Sequence, residues 1–224
     1  MNMFEICKLN QKHFRILYSK EQQDFIDNMP KLNGSEWDKK RKLDYSIWNW
    51  GDGTKIDNLI DYIKEVLEKT QGLYCAYCGM RLKQTSNAQI EHIAPKGNGR
   101  YSHFMFYSSN LTLACSLCNG FEKKEKKEHF NTIGKLEPKY EDCYFNIVHP
   151  YLDNPEDHFD LGDPLNKRIT ISSKTLKGQK SITVFALDEE PQTNGRWHHY
   201  IEHKYDFDPK FRQAFEKSCD KKGF

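Results

Sequence analysis

Two C-x-x-C steps limit how this chain can fold more than any other feature. Cys75 and Cys78 stand in "YCAYCG", Cys115 and Cys118 in "ACSLCNG", with 36 residues between the pairs. Four thiolates in two tight pairs match the tetrahedral coordination of zinc, with Zn–S bonds near ~2.3 Å. The rival reading is redox chemistry, which accounts for one C-x-x-C but not for two at this separation. Each pair sits in a turn, where the backbone N–H groups that follow can reach the sulfurs. A structural zinc would close both ends of the intervening segment and contribute folding free energy directly. Cys7, Cys143 and Cys219 have no partner by spacing and read as ordinary buried thiols.

The flanking regions organise around this clamp. Residues 1–70 read as mainly helical. Ser19 and Gln22 form a capping-box pattern before "KEQQDFIDNM", and a second helix is expected from Ser35. Its basic run (Lys39, Lys40, Arg41, Lys42) reads either as a solvated face or as a phosphate contact. Ile56, Leu59, Ile60, Ile63 and Leu67 then recur at helical spacing, and Gly72 ends that helix. Residues 71–130 hold short strands, turns and the Cys pairs. Residues 131–224 form an extension that is expected to dock a partner. There "RITIS" and "SITVFAL" read as paired strands and "DPKFRQAFEKSC" as a closing helix, with Asp208 as cap, Pro209 first inside, and Phe211 and Phe215 on one face.

Charge and hydropathy exclude some classes. No apolar run approaches the ~20 residues of a membrane helix, so no membrane role is expected. The N-terminal stretch has charges inside its apolar pattern and does not read as an export signal, which makes the cytoplasm the default location. A net charge of +2 does not argue for nucleic acid, but residues 71–130 carry eight Lys and Arg against four Asp and Glu.

Inside the clamp, "NAQIEHIAP" reads as a short strand ending at Pro95. A loop rich in glycine and aromatics follows, then "NLTLACSLCN" from Asn110 to Asn119, and "NGFEKKEKKEHF" as the start of a helix. The string "CAYC … IEHIAPK … SSNLTLACSLCN" resembles the HNH endonuclease family in its zinc-ribbon form, built on a ββα-metal core. The family pattern asks for an acid–His pair on the first strand, an Asn in the loop and a His or Asn at the helix start. Here these are Glu91–His92, Asn110 and Asn119. The match covers about a quarter of the chain.

The resemblance implies hydrolysis of phosphodiesters. His92, with an ordinary pKa near ~6.5, can take a proton from water at neutral pH. Asn110 is expected to hold that imidazole through its side-chain or backbone carbonyl. Glu91 and Asn119 offer hard oxygen ligands to one Mg²⁺ or Mn²⁺. Adjacent strand residues point to opposite faces. The pair is therefore expected at an irregular strand end, for which Pro95 and the glycines supply the break. The chain departs from the commonest pattern at two places: the last ligand is Asn119 rather than His, and "NGFEK" stands where N-x-x-K is usual, with Lys123 as the trailing basic residue. Lys96, Arg100 and Lys123 are candidate phosphate contacts. His103 and His129 read as surface residues or alternative ligands. Tyr101, Phe104 and Phe106 pack or stack on bases.

A narrower resemblance lies beyond the core. With "HPYLDNPEDHF" and the strands after it, residues 71–187 look like the PtuB-type HNH proteins of Septu anti-phage systems and their retron-associated relatives. That resemblance implies an ABC-type ATPase partner of the PtuA kind, with ATP hydrolysed in the partner. The chain itself has no G-x-x-x-x-G-K-[ST] loop. The eight carboxylates of residues 137–163 suit a partner surface better than nucleic acid. His149, Asp153, Asp157 and His158 read as structural or docking residues, with a second metal site as the alternative.

The expected chain is α+β: a ββα-metal HNH core clamped by a four-cysteine zinc, an N-terminal helical region, and a C-terminal strand pair plus helix. DNA is the expected substrate and RNA, including tRNA, the runner-up. From another class, the rival is a non-catalytic zinc-ribbon scaffold that recruits the ATPase.

Overall fold

The computed structural model describes residues 3–9, 16, 18–28, 34, 37, 54–84, 86–97, 101–119, 132–164 and 167–220. The N-terminal part supplies α1 (Met3–Ile6), α2 (Lys20–Asp27) and α3 (Thr54–Gln71). The capping box on α2 is present: Gln22 N donates to Ser19 Oγ at 3.2 Å and Ser19 N donates to Gln22 Oε1 at 2.8 Å. Leu59, Ile63 and Leu67 are the buried stripe of α3. Gly72 follows with φ +71°, a left-handed value that ends the helix without a Cβ clash. The helix expected from Ser35, with Lys39 to Lys42, lies outside the described residues.

The central element is a hairpin followed by a helical turn. Strand β1 (Gln89–His92) pairs antiparallel with β2 (Leu111–Ala114), with Glu91 opposite Thr112 and His92 opposite Leu111. Helix α4 (Ser116–Asn119) starts right after Cys115, which gives the ββα order. The outer edge of β2 is covered by a side chain at the end of α3. Gln71 Nε2 donates to Leu113 O at 2.7 Å and to Tyr74 O at 2.6 Å. Gln71 Oε1 accepts from Leu113 N at 2.8 Å and from Thr112 Oγ1 at 2.9 Å. All four hydrogen-bonding positions of this buried amide are used, so the edge is closed without another strand.

Two small antiparallel pairs follow: β3 (Ile133–Lys135) with β4 (Tyr144–Phe145), and β5 (Phe159–Leu161) with β6 (Ile171–Ser173). One expectation is corrected here. "RITIS" supplies β6, but its partner is β5, not "SITVFAL". That segment belongs to helix α5 (Leu176–Phe185). The run Ile182, Thr183, Val184 has strand propensity, yet Gly178, Ser181, Val184 and Phe185 are buried at helical spacing. Burial therefore overrides intrinsic preference. The helix packs so closely on the preceding loop that a Cβ at Gly178 would fall 2.3 Å from the His158 carbonyl oxygen.

Thr175 caps α5, its Oγ1 accepting from Gly178 N at 3.1 Å, and the same hydroxyl lies 2.8 Å from His158 Nδ1. Thr175→Ala is expected to cost about 1 kcal/mol in urea unfolding, and Thr175→Ser to retain most of it. A strand at this segment would make the two variants alike.

The chain closes with α6 (Glu190–Phe207) and α7 (Pro209–Asp220). Helix α7 matches expectation: Phe211 N donates to Asp208 Oδ1 at 3.1 Å, and the Phe211 and Phe215 rings lie 6.1 Å apart. Helix α6 carried no expectation, because its buried face is polar: Gln192, Thr193 and Arg196. One hydrophobic cluster runs from α3 through β2 to Tyr140, Phe145 and Phe185. No helix among the described residues is long and apolar enough to cross a membrane.

Candidate active site and metal centre

The four cysteines of the two C-x-x-C steps converge. Their sulfurs all lie within 4.8 Å of one another, all four residues are buried, and Cys78 and Cys115 are 3.6 Å apart. A tetrahedral site with ~2.3 Å bonds has sulfur–sulfur edges of about 3.8 Å, so this cluster could hold a metal ion. The first knuckle is a tight turn in which Cys75 N donates to Met80 O and Gly79 N to Cys75 O. Gly79 adopts φ +73°, and a Cβ there would lie 2.0 Å from the Cys7 carbonyl oxygen, so only glycine fits. The second knuckle bonds Cys118 N and Asn119 N back to Cys115 O. The close sulfurs divide protonation unevenly. Hydrogen bonds from Cys118, Cys75 and Cys78 pull Cys115 far down, while hydrogen bonding to Cys115 and burial push Cys78 well up.

Helix α6 reaches this cluster. Gln192 Nε2 lies 3.9 Å from Cys118 Sγ. Arg196 is fully buried, its Nε donating to Ile169 O at 3.0 Å and Nη2 to Leu187 O at 2.6 Å. Burial pulls the guanidinium down from its ordinary value, while the fields of Cys78, Cys7 and Cys118 hold it up. Four thiolates around a divalent ion carry a net −2, which a buried cation partly offsets. Neither Gln192 nor Arg196 stood out in the sequence. The one signal was a long polar stretch with Pro191 at its head.

The acid–base pair sits at the end of β1. Both residues are buried, Glu91 5% and His92 6% exposed. The strand stays regular through His92, and the bend follows at residues 93 and 94. The expected irregularity therefore falls after the pair, and alternation sends the two side chains to opposite faces. Glu91 shares its face with Gln89. Gln89 Oε1 accepts from Asn119 Nδ2 at 3.1 Å, which brings the Asn119 amide to the same face. Asn119 is 4% exposed, and its Oδ1 is buried with no hydrogen-bond partner. A buried amide oxygen without a donor is costly unless something else fills its lone pairs. An amide oxygen of this kind is a hard donor that a divalent cation would accept. Gln89 was not singled out in the sequence, although its spacing of two from Glu91 is the signal that would have found it.

On the other face, His92 Nε2 is 3.1 Å from the Met105 carbonyl oxygen, and the ring stands edge-on to Trp37 at 4.5 Å. A carbonyl only accepts, so Nε2 carries a proton, and in the neutral ring the lone pair is then on Nδ1. The expected partner of the imidazole was Asn110, and this is corrected: the carbonyl belongs to Met105. Asn110 bonds the backbone beyond the strand instead. Ala94 N donates to its Oδ1 at 2.6 Å, and its Nδ2 donates to Ala94 O at 3.2 Å and to Phe104 O at 3.0 Å. Its own carbonyl accepts from Ile93 N at 2.9 Å. The carboxamide thus acts as one more strand residue, fastening the bend after β1 to the loop that presents Met105. A backbone acceptor such as Met105 O leaves no mark in a sequence.

The remaining candidates are placed as follows. Lys96 is half-buried and lies 3.3 Å from Gly34 O. Arg100, Lys123 and His129 lie outside the described residues. Tyr101, Phe104 and Phe106 are buried and pack in the core. His103 is exposed, with its ring 4.0 Å from Phe104, and partial burial lowers its pKa. Asp153 is taken up by structure: it pairs with Lys177 at 2.7 Å and accepts from His149 N at 2.7 Å. Among the described residues, the four cysteines are the one His, Cys, Asp and Glu group of three or more placed to hold a metal.

The hairpin, the helical turn and the cysteine cluster make a ββα arrangement beside a candidate metal centre. The HNH endonuclease family model matches residues 75–125 of the chain. The chain is also similar to the Septu protein PtuB of Bacillus mycoides (strain KBAB4), at 28% identity over 148 residues. That alignment covers 60% of this chain and 49% of PtuB, so the chain spans about half the length of the curated relative it matches.

Proposed function

We propose that this chain is a metal-dependent endonuclease that hydrolyses DNA phosphodiesters in the cytoplasm, as the nuclease subunit of an anti-phage defence complex. The observation that carries the reading is the orphaned Asn119 Oδ1 on the Glu91 face, around the end of a strand from His92. Glu91 and Asn119 would hold Mg²⁺ or Mn²⁺, which when bound neutralises charge on the scissile phosphate and the leaving oxygen. His92 Nδ1 takes a proton from the attacking water, the water oxygen bonds to phosphorus, and the bond to the leaving oxygen breaks. Because Glu91 and His92 occupy opposite faces, the phosphate lies across the C-terminal end of β1. Cys75, Cys78, Cys115 and Cys118 would hold a structural zinc, which fixes α4 and therefore Asn119 against β1. Lys96, Arg100 and Lys123 would contact phosphates.

The similarity to Septu protein PtuB supports a role in Septu-type defence. The proposed partner is an ABC-type ATPase of the PtuA kind. The acidic residues 137–163 are the proposed docking surface. The test incubates the full chain, alone and co-purified with a co-expressed ATPase partner, with plasmid DNA and total RNA in Mg²⁺, Mn²⁺ or EDTA. The expected result is cleavage of DNA that EDTA stops. Cleavage of RNA alone would transfer the site to an RNA substrate. No cleavage in any condition, with the ATPase still bound, would leave a zinc-ribbon scaffold.

A further inference from the structure

A chain of four hydrogen bonds runs from the C-terminal extension into the HNH core. His149 and Tyr140 are 0% and 1% exposed. Tyr151 N donates to His149 Nδ1 at 3.1 Å; His149 Nε2 is 3.0 Å from Tyr140 Oη; Tyr140 Oη is 2.9 Å from Asn110 Oδ1; and Ala94 N donates to that same oxygen at 2.6 Å. The two ends of the chain are backbone N–H groups, which only donate. That fixes every proton between them. Ala94 N–H requires the oxygen of the Asn110 amide at this position, so the amide cannot be flipped. An amide oxygen only accepts, so the Tyr140 hydroxyl spends its one proton there. Tyr140 must then accept from His149, which puts the imidazole proton on Nε2. Tyr151 N–H at Nδ1 demands the same tautomer from the other side. Burial holds the Tyr140 phenol well above its ordinary pKa, which keeps its proton in place.

We propose that Tyr140 and His149 are positioning residues of the HNH centre: a buried relay that locks the Asn110 carboxamide, and through it the Ala94 bend and the loop presenting Met105 O to His92. This deepens the nuclease reading and rests on it. The relay gives each ring nitrogen of the buried His149 a hydrogen-bond partner. It also makes the extension part of the catalytic apparatus rather than only a docking surface. Phe104 supports the arrangement twice, its carbonyl accepting from Asn110 Nδ2 and its ring standing edge-on to Tyr140 at 4.9 Å.

Tyr140→Phe is the decisive variant, because it removes one hydroxyl and keeps the ring. The full metal-loaded chain is used throughout. In the wild type, ¹H–¹⁵N correlations of the imidazole nitrogens are expected to show His149 protonated at Nε2. In Tyr140→Phe, the Ala94 amide is expected to exchange about tenfold faster. The kcat for cleavage is expected to fall roughly ten- to hundredfold, with KM within about twofold. A His149 protonated at Nδ1 would overturn the relay. So would Tyr140→Phe with Ala94 exchange unchanged, or with kcat unchanged. If the wild type cleaves nothing, the nuclease reading fails on its own, and the His149 tautomer and Ala94 exchange still decide the relay.

Discussion

His92→Ala is expected to lower metal-dependent cleavage by roughly a thousandfold while leaving the metal bound. General-base removal typically costs about 10²–10⁴ in rate. The separation of faces sharpens this expectation. His92 lies against Met105 O and Trp37, whereas Asn119 bonds Gln89, which alternation places with Glu91 on the opposite face of β1. Base and metal ligands should therefore be separable by mutation. Glu91→Gln keeps shape and removes charge, so it should abolish both cleavage and Mn²⁺ binding. His92→Ala should retain Mn²⁺ affinity within about threefold, measured by calorimetry on the same preparation. Cleavage at wild-type rate in His92→Ala would sink the assignment of the base. Loss of Mn²⁺ from His92→Ala would place the imidazole among the ligands instead.

The second large effect is on folding. Removing the ion from the four-cysteine cluster is expected to abolish cooperative unfolding of the chain. Structural zinc sites contribute about 10–16 kcal/mol in isolated fingers, more than most domains have to spare. Here the loss spreads, because the cluster sits under both α4 and α6. Without the ion, Arg196 is a buried cation whose opposing charge has dropped, and Gln192 loses a sulfur acceptor. Cys115→Ser should act like a chelator, seen as loss of a sharp thermal transition and of near-ultraviolet circular dichroism. Thiol counting gives an independent reading. Of the seven cysteines, only Cys219 is even partly exposed, and burial pushes the Cys7 thiol up to about 11. A thiol reagent at pH 8 should therefore label Cys219 alone in the loaded chain, and the other six after chelation. Early labelling of Cys75, Cys78, Cys115 or Cys118 in the loaded chain would count against a closed metal site.

Much of this site was legible in the primary structure, for reasons that can be stated residue by residue. C-x-x-C spacing is a local constraint: it sets the reach of two sulfurs whatever the rest of the chain does. Glu91–His92, Asn110 and Asn119 were legible through the resemblance to the HNH pattern, which sets their order between the two cysteine pairs. The capping box at Ser19 and Gln22 and the cap at Asp208 are also local, closed within one helical turn. Where the reading failed, long-range packing decided. "SITVFAL" has strand propensity, but a helix there buries Val184 and Phe185 and lets Gly178 meet His158 O. Helix α6 was missed because Gln192, Thr193 and Arg196 fill the place of an apolar stripe. Their partners are a sulfur and backbone carbonyls, which no periodicity announces.

The division runs along that line. From sequence alone come the candidate groups and their order along the chain: four sulfurs that could hold one ion, a carboxylate and an amide proposed for another, an imidazole proposed for the proton. The sulfur set depends on residue type and short spacing, and the rest on the order of residues in the HNH pattern. Only the tertiary structure decided which carbonyl holds His92, which face each half of the acid–base pair occupies, and that Tyr140 and His149 stand behind Asn110. Such contacts join residues far apart in sequence through buried hydrogen bonds whose directions are set by obligate backbone donors and acceptors. A backbone carbonyl carries the same chemistry in every residue, so its use becomes visible only when the chain has brought it within 3.1 Å of an imidazole.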